Sequence, residues 1–328
     1  MLLHCSYRYI ILVDNSYIFL KIIYAREEIR KMEFKKLELE DKRVFNRFLN
    51  NYPFLSSEYS FANLFIWKDN YKTKYCIYED TLIIAKTDSA GRLSFMEPIG
   101  YKEEKLPEII KILKDLCREK GSDCLFREAT EAFAEKIMHL NDEELVLFED
   151  RDNFDYIYES EKLATLAGKK LHRKRNHYKA FVNGFDYKII NLSQDNQITK
   201  ITDAIDHWYS SKEEIDPRVL HELKAIPKLL ENMHLLNLQG IAVEVNEEIA
   251  AFTIGEKLND DVAVIHIEKG NIDYKGVYSF INKTFVNECF KDVKYINREQ
   301  DLGIEGLRKA KLSYYPDLLE KKFRINLI

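Results

Sequence analysis

The chain is poor in the two residues that punctuate loops, with 11 Gly and 6 Pro in 328 residues. That is too few for a collagen-like, low-complexity or linker-dominated protein. Its 5 cysteines (Cys5, Cys76, Cys117, Cys124, Cys289) are odd in number, scattered and without a C-x-x-C pair, which fits a reducing compartment rather than a disulfide framework. A surplus of positive charge is missing too. Lys and Arg number 50 against 55 Asp and Glu, a formal net charge of −5, so attraction to nucleic acid or anionic lipid must come from a local patch. Among the 8 histidines, His172 and His177 are five apart, and no Cys or carboxylate pair joins them. No metal site is expected.

A long uninterrupted apolar run is also lacking. Tyr9 to Tyr24 (YIILVDNSYIFLKIIY) is broken by Asp14, Asn15 and Lys21 and is shorter than the roughly 20 residues that a spanning helix needs. No basic segment leads it and no small-residue cleavage site follows, so it does not read as a signal peptide. We expect no integral membrane segment, and residues 1–32 read most simply as an extension ahead of a translation start at Met32. The expected location is cytoplasmic, or peripheral at a membrane. Finally, the sequence has no G-x-S-x-G, no P-loop, no dinucleotide fingerprint and no H-E-x-x-H. What remains is group transfer by positioning and acid/base help.

What is present is a folded α/β (α+β) chain, long enough for about two domains on a prior of roughly 150 residues each. Its coarse pattern occurs twice. In the first half a helical region (Asp41 to about Lys72) is followed by strands at Tyr75–Tyr78 and Leu82–Lys86, turning at Glu79-Asp80. A third strand (Arg92–Glu97), a helix beginning near Leu106 and ended by Gly121, and a strand at Cys124–Arg127 come next. In the second half a helical stretch (about Ile198 to Met233) leads to Ile241–Val245, a turn at Asn246-Glu247, Ile249–Gly255 and Val262–Glu268. A helix (about Gly276–Phe290) and a strand at Val293–Asn297 complete it. A shift of 171 residues superposes Arg127-Glu128 on Arg298-Glu299. Two units of like topology are therefore expected, at 33–160 and 161–328. Leu145–Tyr158 is expected to close the first as a hairpin turning near Arg151–Asn153.

Three constellations could carry chemistry. In GKKLHRKRNHYKAF (Gly168–Phe181), an apolar helical stripe (Leu163, Ala167, Leu171, Tyr178, Phe181) is interrupted by Lys174 and Arg175. Cations on both faces suit an anionic partner, with Lys170, Arg173, Lys174 and Arg175 as phosphate ligands. In VAVIHIEKG (Val262–Gly270), alternation puts Val264, His266 and Glu268 on one strand face ahead of a Gly-containing loop and a helix amino end. In YINREQDLGIEGLRKAKLSYYP (Tyr295–Pro316), a strand delivers Asn297, Arg298 and Glu299 to its end. The helix that follows shares one face among Leu307, Ala310, Lys311 and Tyr314.

These segments carry a resemblance. The motifs LxGKKLHRKRNHxxxF (Leu166–Phe181), AFTIGE (Ala251–Glu256), HIEKG (His266–Gly270) and INREQDLGIEGLRKAKLSYYP (Ile296–Pro316), with SEYSFANLFIW (Ser57–Trp67), resemble the family similar to the carboxyl-terminal domain of phosphatidylglycerol lysyltransferases, over about residues 33–328. The resemblance implies two tandem GNAT-like acyltransferase units, each a mixed, mainly antiparallel sheet flanked by helices. It implies transfer of an aminoacyl group from aminoacyl-tRNA, or of another acyl group, to an amine or hydroxyl. In that scheme Glu268 is the base and Tyr314 the acid. His266, Asn297, Arg298, Glu299 and Lys311 hold substrate, and the basic segment 168–181 meets tRNA. An anionic lipid or a peptide precursor is the acceptor class.

Two other readings stand beside it. One is an N-acetyltransferase using coenzyme A. Its pyrophosphate loop, [QR]-x-x-G-x-[GA], is degenerate here, with Asp273 and Tyr278 around Gly276, and it is absent at Tyr101–Leu106, which makes the first unit structural. The other is a non-catalytic module that binds RNA or an anionic surface.

Overall fold

The computed structural model of the chain describes residues 32–328 apart from 51, 53, 195–196 and 211–216, with backbone alone at 217 and 218. The Tyr9–Tyr24 run and the segment ahead of Met32 lie outside the described residues.

Among the described residues the strands of the first half are β1 Lys35–Lys36, β2 Lys74–Tyr78, β3 Thr81–Thr87, β4 Leu93–Phe95, β5 Cys124–Thr130 and β6 Leu145–Glu149. They continue as β7 Asp155–Glu159, β8 Tyr187–Asn191, β9 Gln239–Val245, β10 Glu248–Lys257, β11 Val262–Gly270, β12 Tyr295–Asn297, β13 Leu318–Glu320 and β14 Lys322–Leu327. The α-helices are α1 Lys42–Leu49, α2 Phe61–Ile66, α3 Leu106–Glu119, α4 Glu131–His139, α5 Ser160–Thr165 and α6 His172–Gly184. After them come α7 Ile198–Ser210, α8 Pro217–Glu231, α9 Met233–Leu236, α10 Val277–Cys289 and α11 Glu305–Leu312.

Two compact units result, and the chain is interleaved between them. One comprises Tyr71–Phe148, Phe323–Ile328 and the described residues up to Leu37; the other comprises Glu38–Asn70 and Glu149–Lys322. This division differs from halves at 33–160 and 161–328, because residues 38–70 and 149–160 pack with the later segment. A buried ion pair shows why. Lys322 Nζ meets Asp155 Oδ1 at 2.8 Å, while Asp155 Oδ2 accepts from the Ser57 backbone N–H at 2.7 Å and from Asn297 Nδ2 at 2.8 Å. Such a charge pair is tolerated in a core only when its remaining lone pairs are satisfied.

The first unit holds the sheet of order β1-β2-β3-β4-β5-β14-β6. Against it packs α3, whose apolar residues Leu106, Ile109, Ile110, Leu113 and Cys117 are all buried. The second holds the order β13-β7-β12-β11-β10-β9-β8. Its core joins α10 (Phe280, Ile281, Phe285), Phe181 of α6 and the inward faces of β9 to β12.

The expected hairpin between Leu145 and Tyr158 does not form. β6 is an edge strand of the first sheet, whereas β7 lies between β12 and β13 of the second, so the short 3-10 turn at Arg151–Asn153 carries the chain from one sheet into the other. Strand propensity identified both strands but carried no information about their partners.

The repeat is visible in the backbone. Each unit contains a hairpin whose two turn residues are left-handed, Glu79 and Asp80 (φ 45° and 62°) or Asn246 and Glu247 (φ 51° and 68°), as a two-residue turn between twisted strands requires. Each then pairs its third strand in parallel with the strand that follows the helix, Phe95 opposite Phe126 and Val264 opposite Asn297. Glu128 and Glu299, superposed by the shift of 171, are both left-handed, at φ 58° and 56°.

In the second unit the parallel pairing stops early. β12 ends at Asn297, opposite Val264, while β11 runs on to Gly270. The unpaired continuation of β11 and the chain leaving β12 form the two sides of an opening, and everything described next lies along it.

Candidate functional site

β11 carries His266 and Glu268 into this opening, and the chain after β12 brings Arg298 and Glu299 to meet them. Arg298 Nη2 donates to Glu268 Oε1 at 2.7 Å. The other carboxylate oxygen accepts from Asn282 Nδ2 on α10, also at 2.7 Å. The Arg298 guanidinium lies 4.6 Å from the centre of the Tyr314 ring and 5.7 Å from that of Tyr158, an arrangement that suits a planar cation.

A second cluster sits behind this pair. The register of β10 against β11 slips between Ile254 and Gly255, so Ile254 faces Ile267, Gly255 faces Ile265, and His266 has no partner opposite. Gly255 permits the slip, since a Cβ there would overlap the Val264 carbonyl oxygen. The His266 ring then lies between two carboxylates, Nδ1 at 2.8 Å from Glu299 and Nε2 at 3.0 Å from Glu256. Both ring nitrogens face carboxylate oxygens, an arrangement that favours the doubly protonated imidazolium, although burial raises the Glu299 pKa as well. Burial opposes that charge, but the hydrogen bonds and charges of Glu256 and Glu299 outweigh it and push the His266 pKa up to about 10. Glu256 also accepts from the Ser60 hydroxyl.

Lys311 of α11 is buried and spends its ammonium protons on three consecutive carbonyls, those of Arg298, Glu299 (3.0 Å) and Gln300 (2.6 Å). Burial lowers its pKa to about 8, with Glu299 working against the fall and Arg298 adding to it. The start of α11 is tied down by Asp301, whose carboxylate accepts from Tyr156 Oη at 2.6 Å and from Arg308 Nε at 2.8 Å.

Two cavities meet at the Glu268–Arg298 pair. The first, about 330 Å³, is lined by Trp67, Glu222, His266, Lys269, Leu307 and Lys311 among others. The second, about 310 Å³, is lined by Lys174, His177, Tyr274, Gly276, Ser279 and Tyr314 among others. Glu268, Tyr278, Arg298 and Ala310 belong to the walls of both.

Most of the residues singled out in the sequence gather here, in different settings. Glu268, Arg298, His266, Glu299 and Lys311 border the first cavity, and Glu268, Arg298, Tyr314 and Lys174 the second. Tyr314, rather than Ser313 or Tyr315, is the buried member of its trio, with its hydroxyl 3.5 Å from Ser279 Oγ. Asn297 is fully buried and turned away, bonded to the Leu55 carbonyl, to Asp155 and to the Glu299 N–H.

The four basic residues of α6 and the turn before it diverge. Lys170 and Arg173 are exposed, Lys174 leans over the Tyr314 ring at 3.9 Å, and Arg175 binds the Leu166 and Gly168 carbonyls. Arg175 therefore caps the left-handed Leu166 (φ 54°) that ends α5. This accounts for one of the two cations that interrupt the apolar stripe.

The amino end of α10 does not fit a coenzyme A pyrophosphate. Gly276 is left-handed (φ 92°), and a Cβ on it would collide with the backbone carbonyl of His177, so α6 already lies against the backbone that a phosphate would approach. Asp273 stands where a cation or amide donor is needed. The large Tyr278 places its hydroxyl on the Gly270 carbonyl at 3.1 Å.

Asn282, Glu256, Trp67 and Glu222 complete the cluster without having been foreseen. For Asn282 a signal existed, a single amide among Phe280, Ile281 and Phe285 on the buried side of a helix. For Glu256 the signal was the adjacent Gly255, since a glycine inside a strand often marks a slip in register. Among the described residues no group of three or more His, Cys, Asp or Glu could hold a metal ion. No helix among them is long and apolar enough to cross a membrane.

Comparison with known proteins places these features in a family. The family model described as phosphatidylglycerol lysyltransferase, C-terminal, matches residues 49–326. A solved structure of a conserved protein of unknown function from Bacteroides thetaiotaomicron VPI-5482 is 31% identical, with a TM-score of 0.81, covering 90% of this chain and 100% of its own. The structure of L-PGS from Bacillus licheniformis is 16% identical with a TM-score of 0.59, covering 89% of this chain and 93% of its own. A tandem GNAT protein from the clavulanic acid biosynthesis pathway is 8% identical with a TM-score of 0.50, covering 90% and 98%. The last two share the fold, as expected of two GNAT-like units. A curated relative, the uncharacterized protein MYCGA3080 of Mycoplasmoides gallisepticum, is 24% identical over 188 residues, which are 56% of this chain and 58% of that protein, so the match spans little more than half of its length.

Proposed function

Because the chain belongs to the phosphatidylglycerol lysyltransferase C-terminal family, we propose that it moves an acyl group, carried as an ester on an RNA, to an amine or hydroxyl acceptor. The observation that carries this reading is the Glu268–Arg298 pair on the wall common to two cavities. A transfer reaction needs two substrates to meet at one acid/base group, and such a pair offers it.

The second cavity, on the side of α6, takes the donor. Lys170 and Arg173 lie outside it on exposed surface and meet donor phosphates, and the ester carbonyl reaches in toward Arg298. The acceptor occupies the first cavity, where an anionic lipid headgroup or a peptide amine would sit. Glu268 removes the acceptor proton as the nucleophile attacks, since each of its oxygens accepts one hydrogen bond and keeps a lone pair. Negative charge growing on the carbonyl oxygen is met by Arg298 and Lys174. The ester C–O bond then breaks, and the leaving oxygen takes the Tyr314 proton. Burial raises the Tyr314 pKa, with Arg298 working against the rise and Glu268 adding to it, so the hydroxyl keeps its proton at neutral pH and can give it up when an alkoxide forms.

The test is a single-turnover experiment with tRNA charged with radiolabelled amino acids, mixed with a lipid or cell-wall precursor extract. Label should leave the RNA with wild-type protein, and about 100-fold or more slowly with Glu268→Gln, while filter binding of the charged RNA is retained. Equal rates for the two proteins, or no transfer to any fraction, would overturn the reading.

A further inference from the structure

Lys174 differs from the other lysines that border the two cavities. Lys311 is fully occupied by its three carbonyls, and Lys269 is paired with Glu222 at 2.6 Å. Lys174 Nζ has no hydrogen-bond acceptor among the described residues; its contact is the face of the Tyr314 ring at 3.9 Å. It is half-buried and borders the second cavity beside Glu268, Arg298 and Tyr314.

The charged groups around it pull in opposite directions. Burial is the largest influence, Arg298 beyond β12 and Arg173 on the same helix also disfavour the ammonium, and Glu268 on β11 favours it. His177, one turn along α6, borders the same cavity, and its own pKa is lowered by burial and then by Lys174. The balance places the Lys174 pKa at about 8.

We propose that Lys174 is itself an acylation site, a nucleophilic amine that accepts an acyl group from an activated oxygen ester or acyl phosphate entering the second cavity. The neutral ε-amine attacks the acyl carbon, the N–C bond forms and the C–O bond to the leaving group breaks. The proton left on nitrogen passes, directly or through Glu268, to the departing oxygen of the phosphate or alkoxide. The product is a stable amide, so the event is stoichiometric and not a turnover. It removes a positive charge from beside Arg298 and leaves an acyl chain where the donor would enter. The proposal does not rest on the transferase reading, because it requires only a reactive amine in an accessible cavity.

The experiment uses the full chain and acetyl phosphate, with acetylation at each lysine followed by peptide mass spectrometry from pH 6.5 to 10. A short lysine peptide in the same mixture, whose amine has the ordinary lysine pKa of about 10.4, is the reference. At pH 7.5 Lys174 should react at least about tenfold faster than the peptide amine, because far more of it is neutral even after allowing for the weaker nucleophilicity of a less basic amine. Its rate should level off above pH 8 to 9 while that of the peptide keeps rising. Lys174→Arg should remove the fast phase and leave the rest of the labelling pattern in place. A Lys174 rate equal to or below that of the peptide amine, or a pH profile that follows the peptide, would overturn the proposal. So would a fast phase that survives in Lys174→Arg.

Discussion

The Nδ1–H of His266 donates to Glu299 Oε1 across 2.8 Å, joining the strand that bears Glu268 to the residue that follows Arg298. Glu299 is left-handed (φ 56°), a conformation that costs a non-glycine residue energy unless its surroundings hold it. Lys311 provides the rest of the hold, from the carbonyl side of the same three residues. Arg298 is aimed at Glu268 from within this frame.

The imidazolium has a pH signature. The His266 pKa rises from an ordinary 6.5 to about 10 on folding, so the folded state holds a proton that the unfolded chain releases. The stabilisation is complete below pH 6.5 and is lost as the pH climbs toward 10. Urea melts of wild type and His266→Gln should therefore differ most at about pH 6 and converge as the pH approaches 10. A difference that grows with pH would contradict a charged ring.

Removing the ammonium of Lys311 should loosen the frame. In Lys311→Met three carbonyls lose their donor inside the protein, at a cost of about 2 kcal/mol or more, read as a lower urea midpoint with the slope unchanged. Transfer should fall further than stability alone accounts for, because Arg298 is no longer fixed. Lys311→Arg, too large for the site, should not rescue either property.

Gly276→Ala should be one of the costliest single-methyl changes in the chain. The added Cβ would overlap a backbone carbonyl of α6, which moves only if the helix does, and the backbone at φ 92° is strained for any L side chain. A loss of roughly 3 kcal/mol or more is expected, together with a shift of α6 visible in the Lys174 labelling rate. Gly306→Ala, with open space around its Cβ position, should be close to neutral and serves as the control.

Charged-RNA binding should weaken steeply with salt. If Lys170 and Arg173 each contact one phosphate, replacing either with Ala should reduce the slope of log K against log salt by roughly 0.7 to 0.9. Arg175→Ala should leave the slope alone and lower stability instead, since its guanidinium is spent on the Leu166 and Gly168 carbonyls. Equal slopes for all of these proteins would remove the basic segment from RNA recognition.

Much of this was legible in the order of elements. Hairpin, third strand, helix and fourth strand, each set once and then again, follow from periodicity and turn residues, and the polar residues at the end of the last of these strands pointed to the opening. What stayed hidden depends on distance along the chain. Ser60 reaches Glu256 across 196 residues, Trp67 arrives from a segment far from the rest of its cavity, and β6 and β7 look like a hairpin because nothing local says that they serve different sheets. Arg175 and Lys311 carry the charge expected of ligands yet are consumed by backbone carbonyls, a use that residue type alone cannot distinguish from binding.

The interleaving of the two units bears on how such a protein can change over time. A duplicated domain joined end to end can shed one copy by a single truncation. Here the first unit lies between residues 38–70 and 149–322 of the second and also takes in the strand at the carboxyl end. A cut at residue 149 would strip Ser57 from Asp155 and Trp67 from its cavity. Neither copy can be discarded by trimming an end without also cutting into the chain of the other.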